Sequence, residues 1–72
     1  MNLQQLEKFI AVAESASLTA AAKRLYTTQP NLSNALKALE DELGTPLFDR
    51  VRGRLVLNAA GRAALVRARE AL

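Results

Sequence analysis

The sequence predicts a small, mainly α-helical domain with four helices and a two-stranded β-hairpin between the third helix and the fourth. Four segments carry apolar residues at the three- and four-residue spacing of a helix. Each segment follows a residue whose side chain can cap a helix N-terminus: Asn2, Ser17, Thr28 and Asn58. The stretch around Gly53 is β-prone, and its glycine is a natural turn residue.

The composition is that of a single globular domain and excludes several kinds of site. The chain has 72 residues, of which 50% are hydrophobic and 24% charged, so it can fold around one small core. It holds neither cysteine nor histidine, which excludes disulfides, thiol nucleophiles and the usual zinc sites and removes the commonest general base. The longest apolar run, Phe9 to Ala13, is far shorter than the ~18–20 residues that span a bilayer.

Positive charge is concentrated towards the C-terminal end of the chain. The net charge is +3. Residues 1–49 hold four basic and six acidic side chains, a net of −2, whereas residues 50–72 hold six basic and one acidic, a net of +5. A basic surface attracts polyanions, with nucleic acid as the first candidate and an anionic membrane as the second. Because such a bias also simply keeps domains in solution, the position of the charges has to decide between polyanion binding and solubility.

The first two helices are predicted from their caps and their apolar spacing. Asn2 followed by Gln5 is a capping-box pattern, and it opens a helix over residues 3 to about 14. The segment Ser15-Ala16-Ser17 breaks this helix, because serines compete for backbone hydrogen bonds. Ser17 then caps a second, short helix over residues 18 to about 25.

The third helix is predicted from Gln29 to about Leu43, with Pro30 in its first turn and Gly44 at its end. On a helical wheel four leucines form a stripe that we expect to be buried: Leu32, Leu36, Leu39 and Leu43. The opposite side of its N-terminal half carries Pro30, Ser33, Asn34 and Lys37, and the carboxylates Glu40, Asp41 and Glu42 follow at the far end. Short donors and acceptors suit base edges in a major groove, although any surface helix has a polar face.

The connection between the second and third helices strengthens the nucleic-acid interpretation. A short helix, a brief connection and a longer helix with a polar N-terminal half are typical of a helix-turn-helix. Tyr26-Thr27 stands where the turn usually has a glycine.

The predicted hairpin carries Arg50, Arg52 and Arg54 around the turn residue Gly53. An arginine-tipped loop can enter a minor groove or straddle phosphates. Such a loop can equally be a charged edge that resists aggregation. Beside a helix-turn-helix, contact with nucleic acid becomes the better interpretation, and the architecture is then a winged helix-turn-helix.

The last helix is predicted from Ala59 to Leu72, and it carries a narrow seam of small and apolar residues. The seam consists of Gly61, Leu65, Ala68 and Leu72. Because the first three helices can form a core by themselves, we expect this seam to meet a partner helix in a two-fold homodimer. Packing onto the domain is the ordinary alternative, and a membrane-surface role is disfavoured because the helix lacks Trp and Phe. The chain stops within this helix, so we expect more protein to follow.

Six short motifs follow one another along the chain. They are Leu6–Glu14, Ser17–Leu25, Gln29–Ser33, Leu39–Gly44, Pro46–Arg50 and Ala60-Gly61. In this order and spacing they resemble the N-terminal DNA-binding domain of LysR-type transcriptional regulators, over essentially the whole chain.

The resemblance implies a bacterial transcription factor with a winged helix-turn-helix at residues 1–58 and the start of a linker helix, which serves dimerisation, at residues 59–72. A C-terminal effector domain would be absent from this chain, and the domain in hand would need no cofactor. The implied partners are double-stranded DNA and a second copy of the chain, with a tetramer as the alternative at full length, and no membrane. The implied location is the bacterial cytoplasm, at the nucleoid.

The resemblance also implies which residues contact DNA. Base contacts are expected from the start of the third helix: Gln29, Pro30, Asn31, Ser33 and Asn34. Phosphate or wing contacts are expected from Thr28, Lys37, Arg50, Arg52 and Arg54, although Arg50 more often braces the domain. Many members carry arginine where this chain has Asn34, whose amide favours adenine or a phosphate.

Other functions fit the sequence less well. A protein-interaction module of the same shape remains open, because one fold serves many functions. Single-stranded RNA binding requires stacking aromatics, and the chain has only Phe9, Tyr26 and Phe48. An enzyme is disfavoured because the serines have no histidine partner.

Overall fold

The computed structural model describes residues 2–15 and 17–72 and contains the predicted elements in the predicted order. The elements are α1 (Leu3–Glu14), α2 (Leu18–Arg24), α3 (Gln29–Leu43), β1 (Phe48–Val51), β2 (Arg54–Leu57) and α4 (Ala59–Ala71). The two strands pair antiparallel and form the wing. The mainly helical fold class is confirmed, and the helix ends agree with the sequence to within one residue. Ala16, in the predicted break after α1, lies outside the described residues. No helix in the described ranges is long and apolar enough to cross a membrane.

The predicted N-caps are confirmed at all four helices. At α1 the capping box is complete, because Gln5 N donates to Asn2 Oδ1 at 2.8 Å and Asn2 N donates to Gln5 Oε1 at 2.9 Å. The other caps accept from the backbone three residues on: Ser17 from Ala20 at 3.0 Å, Thr28 from Asn31 at 3.2 Å, and Asn58 from Gly61 at 2.7 Å. Each cap contributes about 1 kcal/mol, so local chemistry fixes where each helix begins.

Tyr26 occupies the turn between α2 and α3 in a conformation that favours glycine. Its φ is 55°, in the left-handed region, and its side chain is 98% exposed. The turn still closes α2 in the Schellman manner, because Thr27 N donates to the carbonyl of Ala22 at 2.9 Å and Tyr26 N to that of Lys23 at 3.2 Å. A left-handed conformation costs an L-residue about 1–2 kcal/mol, and Tyr26 recovers none of it by packing.

The core lies where α1, α2 and α3 meet the base of the wing. Its largest fully buried side chains are Phe9, Leu32, Leu39 and Leu47. The Phe9 ring packs edge-on against the Phe48 ring at a centroid separation of 5.7 Å, and this contact joins α1 to β1. Leu32, Leu36 and Leu39 are buried as predicted, but Leu43 is 41% exposed. The prediction for Leu43 is wrong because the chain reverses at Gly44, and Leu47 fills the core in its place.

Helix α4 belongs to the core of the monomer, so the prediction of a free seam on this helix is wrong. Gly61 is buried against the backbone of Leu47, Ala68 is 2% exposed, and Leu65 packs against the core cluster. Of the predicted seam only Leu72 is exposed. The prediction failed because the three-helix core is incomplete, and α4 covers it by packing against α1. The face of α4 that remains outside carries Ala59, Ala63, Val66 and Glu70.

Glu14 joins three helices at the C-terminal end of α1. Its carboxylate accepts from Arg24 of α2 at 3.2 Å and from Arg69 of α4 at 2.9 Å. The hydrogen bonds to Arg69 and then Arg24 lower the pKa of Glu14 below its ordinary value of 4.5. A lowered folded-state pKa means that the pairs stabilise the fold above about pH 4.5 and lose this effect as the pH falls through the folded-state pKa. All three side chains are exposed to water, so the contribution is small.

Candidate nucleic-acid interface

The tip of the wing is a two-residue hairpin turn formed by Arg52 and Gly53. Val51 pairs with Arg54, and the two residues between them have φ values of 53° and 77°. Positive φ at both central positions is the type I′ geometry, which matches the twist of the flanking strands. Glycine adopts this conformation freely, whereas Arg52 is held in it by the strand pairing on either side. The turn therefore presents the Arg52 side chain at the far end of the wing.

The base of the wing is tied to α3 and α4 by hydrogen bonds. Leu47 N donates to the Glu40 carboxylate at 2.6 Å, and the Leu47 carbonyl accepts from Asn58 N at 3.1 Å. Asn58 Nδ2 donates to the Pro46 carbonyl at 2.9 Å, and Arg62 donates to the Leu57 carbonyl at 3.1 Å.

Glu40 is a positioning residue that the sequence reasoning missed. The sequence placed it, with Asp41 and Glu42, only at the far end of the third helix, but its side chain is half-buried and accepts a hydrogen bond from the Leu47 amide. The two residues are seven positions apart, and no local pattern in the sequence signals their contact.

The wing arginines do not share one face. In an antiparallel pair, directly opposed residues point to the same side, so Arg50 lies with its partner Leu55 on one face of the hairpin. Leu55 and Leu57 are half-buried, which makes this the inner face. Arg54 and Val51 form a pair on the outer face. Arg50 and Arg54 therefore leave the hairpin on opposite faces, although both border one cleft beside Gly53.

A groove of about 620 Å³ runs between α3 and the inner face of the wing. It is lined by three of the predicted contact residues, Ser33, Lys37 and Arg50, together with Glu40 and Asp41. Two cationic side chains therefore lie on its opposite walls. The carboxylates Glu40 and Asp41 line the end of the groove towards the C-terminus of α3, one turn beyond Lys37.

A second cleft, of about 390 Å³, lies beyond Arg50 near the start of α3. Gln29, Arg50 and Arg54 line it, together with Thr19 of α2. Arg50 borders both spaces and so connects the start of α3 with the wing. Thr19 is a second residue that the sequence reasoning missed, because its nearness to the wing depends on tertiary packing alone.

The remaining predicted residues lie outside these two spaces. At ~100° per residue, Pro30 and Asn34 point away from the core, and Asn31 lies further round, on the side away from the groove that Ser33 and Lys37 line. All three are exposed. Thr28 is exposed as well, but its hydroxyl already serves as the N-cap of α3.

The cations around the grooves are available to a ligand. In residues 2–15 and 17–72, the side chains of Lys37, Arg50, Arg52 and Arg54 are exposed, and none of them forms an ion pair or a hydrogen bond. Arg50 was expected to brace the domain, yet it has no such partner. An unpaired cation next to a polar helix face is the electrostatic arrangement that a phosphate backbone requires.

Comparisons with known proteins agree with this arrangement. A sequence profile described as "Bacterial regulatory helix-turn-helix protein, lysR family" matches residues 3–62. The transcriptional regulator BsdA of Bacillus subtilis is 47% identical over the whole chain, and TcbR of Pseudomonas sp. strain P51 is 46% identical. The chain spans 25% and 24% of the length of these curated relatives. Both are regulators, so the prediction of a non-enzymatic protein is confirmed.

Solved structures of similar proteins include complexes with DNA. The DNA-binding domain of CbnR in complex with DNA has a TM-score of 0.93 and 45% identity, over 99% of this chain and 82% of that one. The DNA-binding domain of BenM with benA site 1 DNA has a TM-score of 0.92 and 35% identity, over 99% and 80%. The chain therefore belongs to the LysR family of bacterial regulatory helix-turn-helix proteins, as its motifs predicted.

Proposed function

We propose that this chain binds double-stranded DNA as the recognition domain of a transcription regulator. The N-terminal half of α3 enters the major groove, and the wing lies along the backbone or in the adjacent minor groove. One observation carries the proposal: Ser33 and Gln29 of α3 adjoin the same two grooves as the unpaired cations Lys37, Arg50 and Arg54. The DNA complexes of CbnR and BenM support it, because those proteins have the same fold.

We infer that some residues of the interface hold DNA and others read it. Lys37 and Arg50, which line the groove, and Arg54, which lines the cleft beside it, are the candidates for holding phosphates. Arg52, at the tip, reaches furthest and suits a narrow minor groove. Gln29, Pro30, Asn31, Ser33 and Asn34 are the candidates for reading bases, and Thr28 contributes through its cap.

A comparison of two variants tests this division. We expect Arg52→Asn to weaken binding to every duplex and to reduce the slope of log K against log salt by about 0.9, because the lost cation no longer neutralises a phosphate charge beside the groove. Asparagine tolerates a left-handed turn, so the hairpin keeps its shape. Ser33→Ala should instead alter sequence preference and leave the slope unchanged. The measurement is a gel-shift titration at several salt concentrations on a preferred and an unrelated duplex.

Arg67→Ala is the control for the loss of one positive charge, since Arg67 is an exposed residue of α4, outside both grooves. This variant should retain the wild-type salt slope. Equal effects of Arg52→Asn and Ser33→Ala on slope and preference would contradict the proposal. A module that binds only proteins would show no duplex binding at all.

The whole regulator is proposed to be a homodimer, or a tetramer at full length. We propose further that a small-molecule effector binds a separate C-terminal domain, and that the protein acts at the nucleoid in the cytoplasm. A second copy cannot use Gly61 or Ala68, which are already buried in the monomer. We assign the dimer contact to the outward face of α4. This face carries small and apolar residues at the spacing of a helix–helix seam: Ala59, Ala63 and Val66.

In the full-length protein, Val66→Glu should convert the dimer to a monomer in sedimentation experiments, because Val66 is 58% exposed at the centre of this face. Gln4→Glu introduces the same charge at an exposed position on α1 and should leave the dimer intact. A dimer that survives Val66→Glu at wild-type stability would show that α4 is not the contact.

A further inference from the structure

We propose that Asn34 reads an adenine, so that one A·T pair in each half-site is fixed by this side chain. The inference rests on the proposed DNA binding and adds a base and a residue to it. It follows from the amide that α3 presents at the centre of its outward face and from the absence of a guanidinium on this helix.

Asn34 is an exposed side chain with no partner in the part of the chain that the structure describes. It lies one turn after Pro30, on the side of α3 opposite the buried Leu32 and Leu36. Its amide is therefore not used to hold the fold. In the same direction, about two turns further on, stands Asp41, whose carboxylate is repelled by phosphates. Close approach to DNA is thus confined to the N-terminal half of the helix, with Asn34 near its middle.

The neighbours of Asn34 on this face cannot make the same contact. The Pro30 side chain offers only carbon atoms, and the Ser33 hydroxyl, whose donor and acceptor share one oxygen, cannot form a two-point contact with a base. Lys37 is a point charge placed in the groove beside the wing. No guanidinium stands anywhere on α3, so the usual bidentate reader of guanine is missing from the helix. Asn31 also carries an amide, but it lies ~60° round the helix from Asn34, on the side away from the groove that Ser33 and Lys37 line. On the outward face between Pro30 and Lys37, Asn34 alone presents a donor and an acceptor in one plane.

A primary amide matches the major-groove edge of adenine. Its oxygen accepts from the adenine N6 amino group while its nitrogen donates to N7, and no other base presents that pair of groups in this order. Such a bidentate contact discriminates against a wrong base by about tenfold or more in affinity.

Gln29 carries the same chemical group but cannot read the same base. It precedes Asn34 by five residues, which is ~7.5 Å along the helix axis, and points ~140° away from it. Gln29 lies instead in the cleft with Arg50 and Arg54. The effect of Asn34 should therefore be confined to a single position of each half-site, and that confinement separates base reading from a general loss of affinity.

The test begins with selection of preferred duplexes from a randomised pool by the wild-type chain. Affinities of wild type, Asn34→Ala and Asn34→Arg are then measured on the preferred duplex and on each of its single-base variants. We expect Asn34→Ala to lose about tenfold discrimination in favour of adenine at one position per half-site and to keep it elsewhere. Asn34→Arg should prefer guanine at that position, because a guanidinium pairs with O6 and N7.

The control for folding is the thermal midpoint, which should be unchanged in both variants because Asn34 is exposed. A phosphate contact would instead make Asn34→Ala weaken all duplexes equally, and this result overturns the adenine assignment. An unchanged base preference in Asn34→Arg overturns it as well. If the wild-type chain selects no sequence and binds no duplex, the proposed function fails too, and that outcome is distinguished at the first step.

Discussion

Gly61→Ala is expected to destabilise the domain by roughly 2–4 kcal/mol, because the new methyl group has no space. A Cβ at this position would overlap the Leu47 carbonyl oxygen and lie 2.7 Å from Leu57 Cδ2. The leucine side chain can turn away, but the carbonyl cannot easily shift. Its residue is fixed on both sides, by the bond from Leu47 N to Glu40 and by the bond from Asn58 N to the Leu47 oxygen. For a domain of ordinary stability, about 5–15 kcal/mol, this loss is severe.

The sign of this effect makes the experiment decisive. In an open helix, glycine to alanine stabilises by about 1 kcal/mol, because alanine has the higher helix propensity. In urea denaturation, the midpoint of Gly61→Ala should therefore lie below that of wild type if the site is crowded and above it if the site is open. The reverse change at the outward position, Ala63→Gly, should cost only about 1 kcal/mol. A Gly61→Ala midpoint at or above that of wild type would contradict the close packing of α4 on the wing base.

Local features of the sequence were enough to predict the secondary structure. Caps such as Asn2 and Thr28 act on amides three residues away, so the sequence contains all the information that places the helix starts. The same holds for Gly53, whose turn links adjacent strands. The exposed face of α3 was also predictable, because a period of 3.6 residues assigns each side chain to a face once the leucines are known to be buried.

Features that depend on contacts between distant residues were not predictable in this way. The spacing of Gly61 and Ala68 indicated a close helix contact correctly, but it does not say whether the neighbour is the same chain or another. The orientation of Arg50 towards α3 depends on which face of the hairpin is buried, and this is set by the contact between Phe48 and Phe9. Candidate contact residues could thus be named from the sequence, and their roles stay predictions, whereas the two grooves that bring some of them together could not be predicted.

The Phe9 ring is the other position at which one substitution should have a large effect. Phe9 is 1% exposed and meets the Phe48 ring edge-on, at an interplanar angle of 67°. Phe9→Ala should cost about 3–5 kcal/mol, because it removes buried apolar surface and leaves a cavity beneath the wing. A loss of this size approaches the whole stability of a small domain, so we expect a thermal midpoint far below that of wild type and a substantial unfolded fraction at 37 °C.

Phe9→Leu is the matched control, since it retains most of the buried volume and should cost much less. Phe48→Leu separates stability from positioning, because Phe48 is only half-buried but holds the inner face of the wing against the core. This variant should remain folded, losing about 0.5–1.5 kcal/mol of ring contact, yet bind DNA more weakly because Arg50 and Arg54 are held less firmly beside α3. Calorimetry and duplex affinity on the same preparations measure both effects. A Phe9→Ala midpoint equal to that of Phe9→Leu would show that lost buried volume and a cavity are not the cause of the destabilisation.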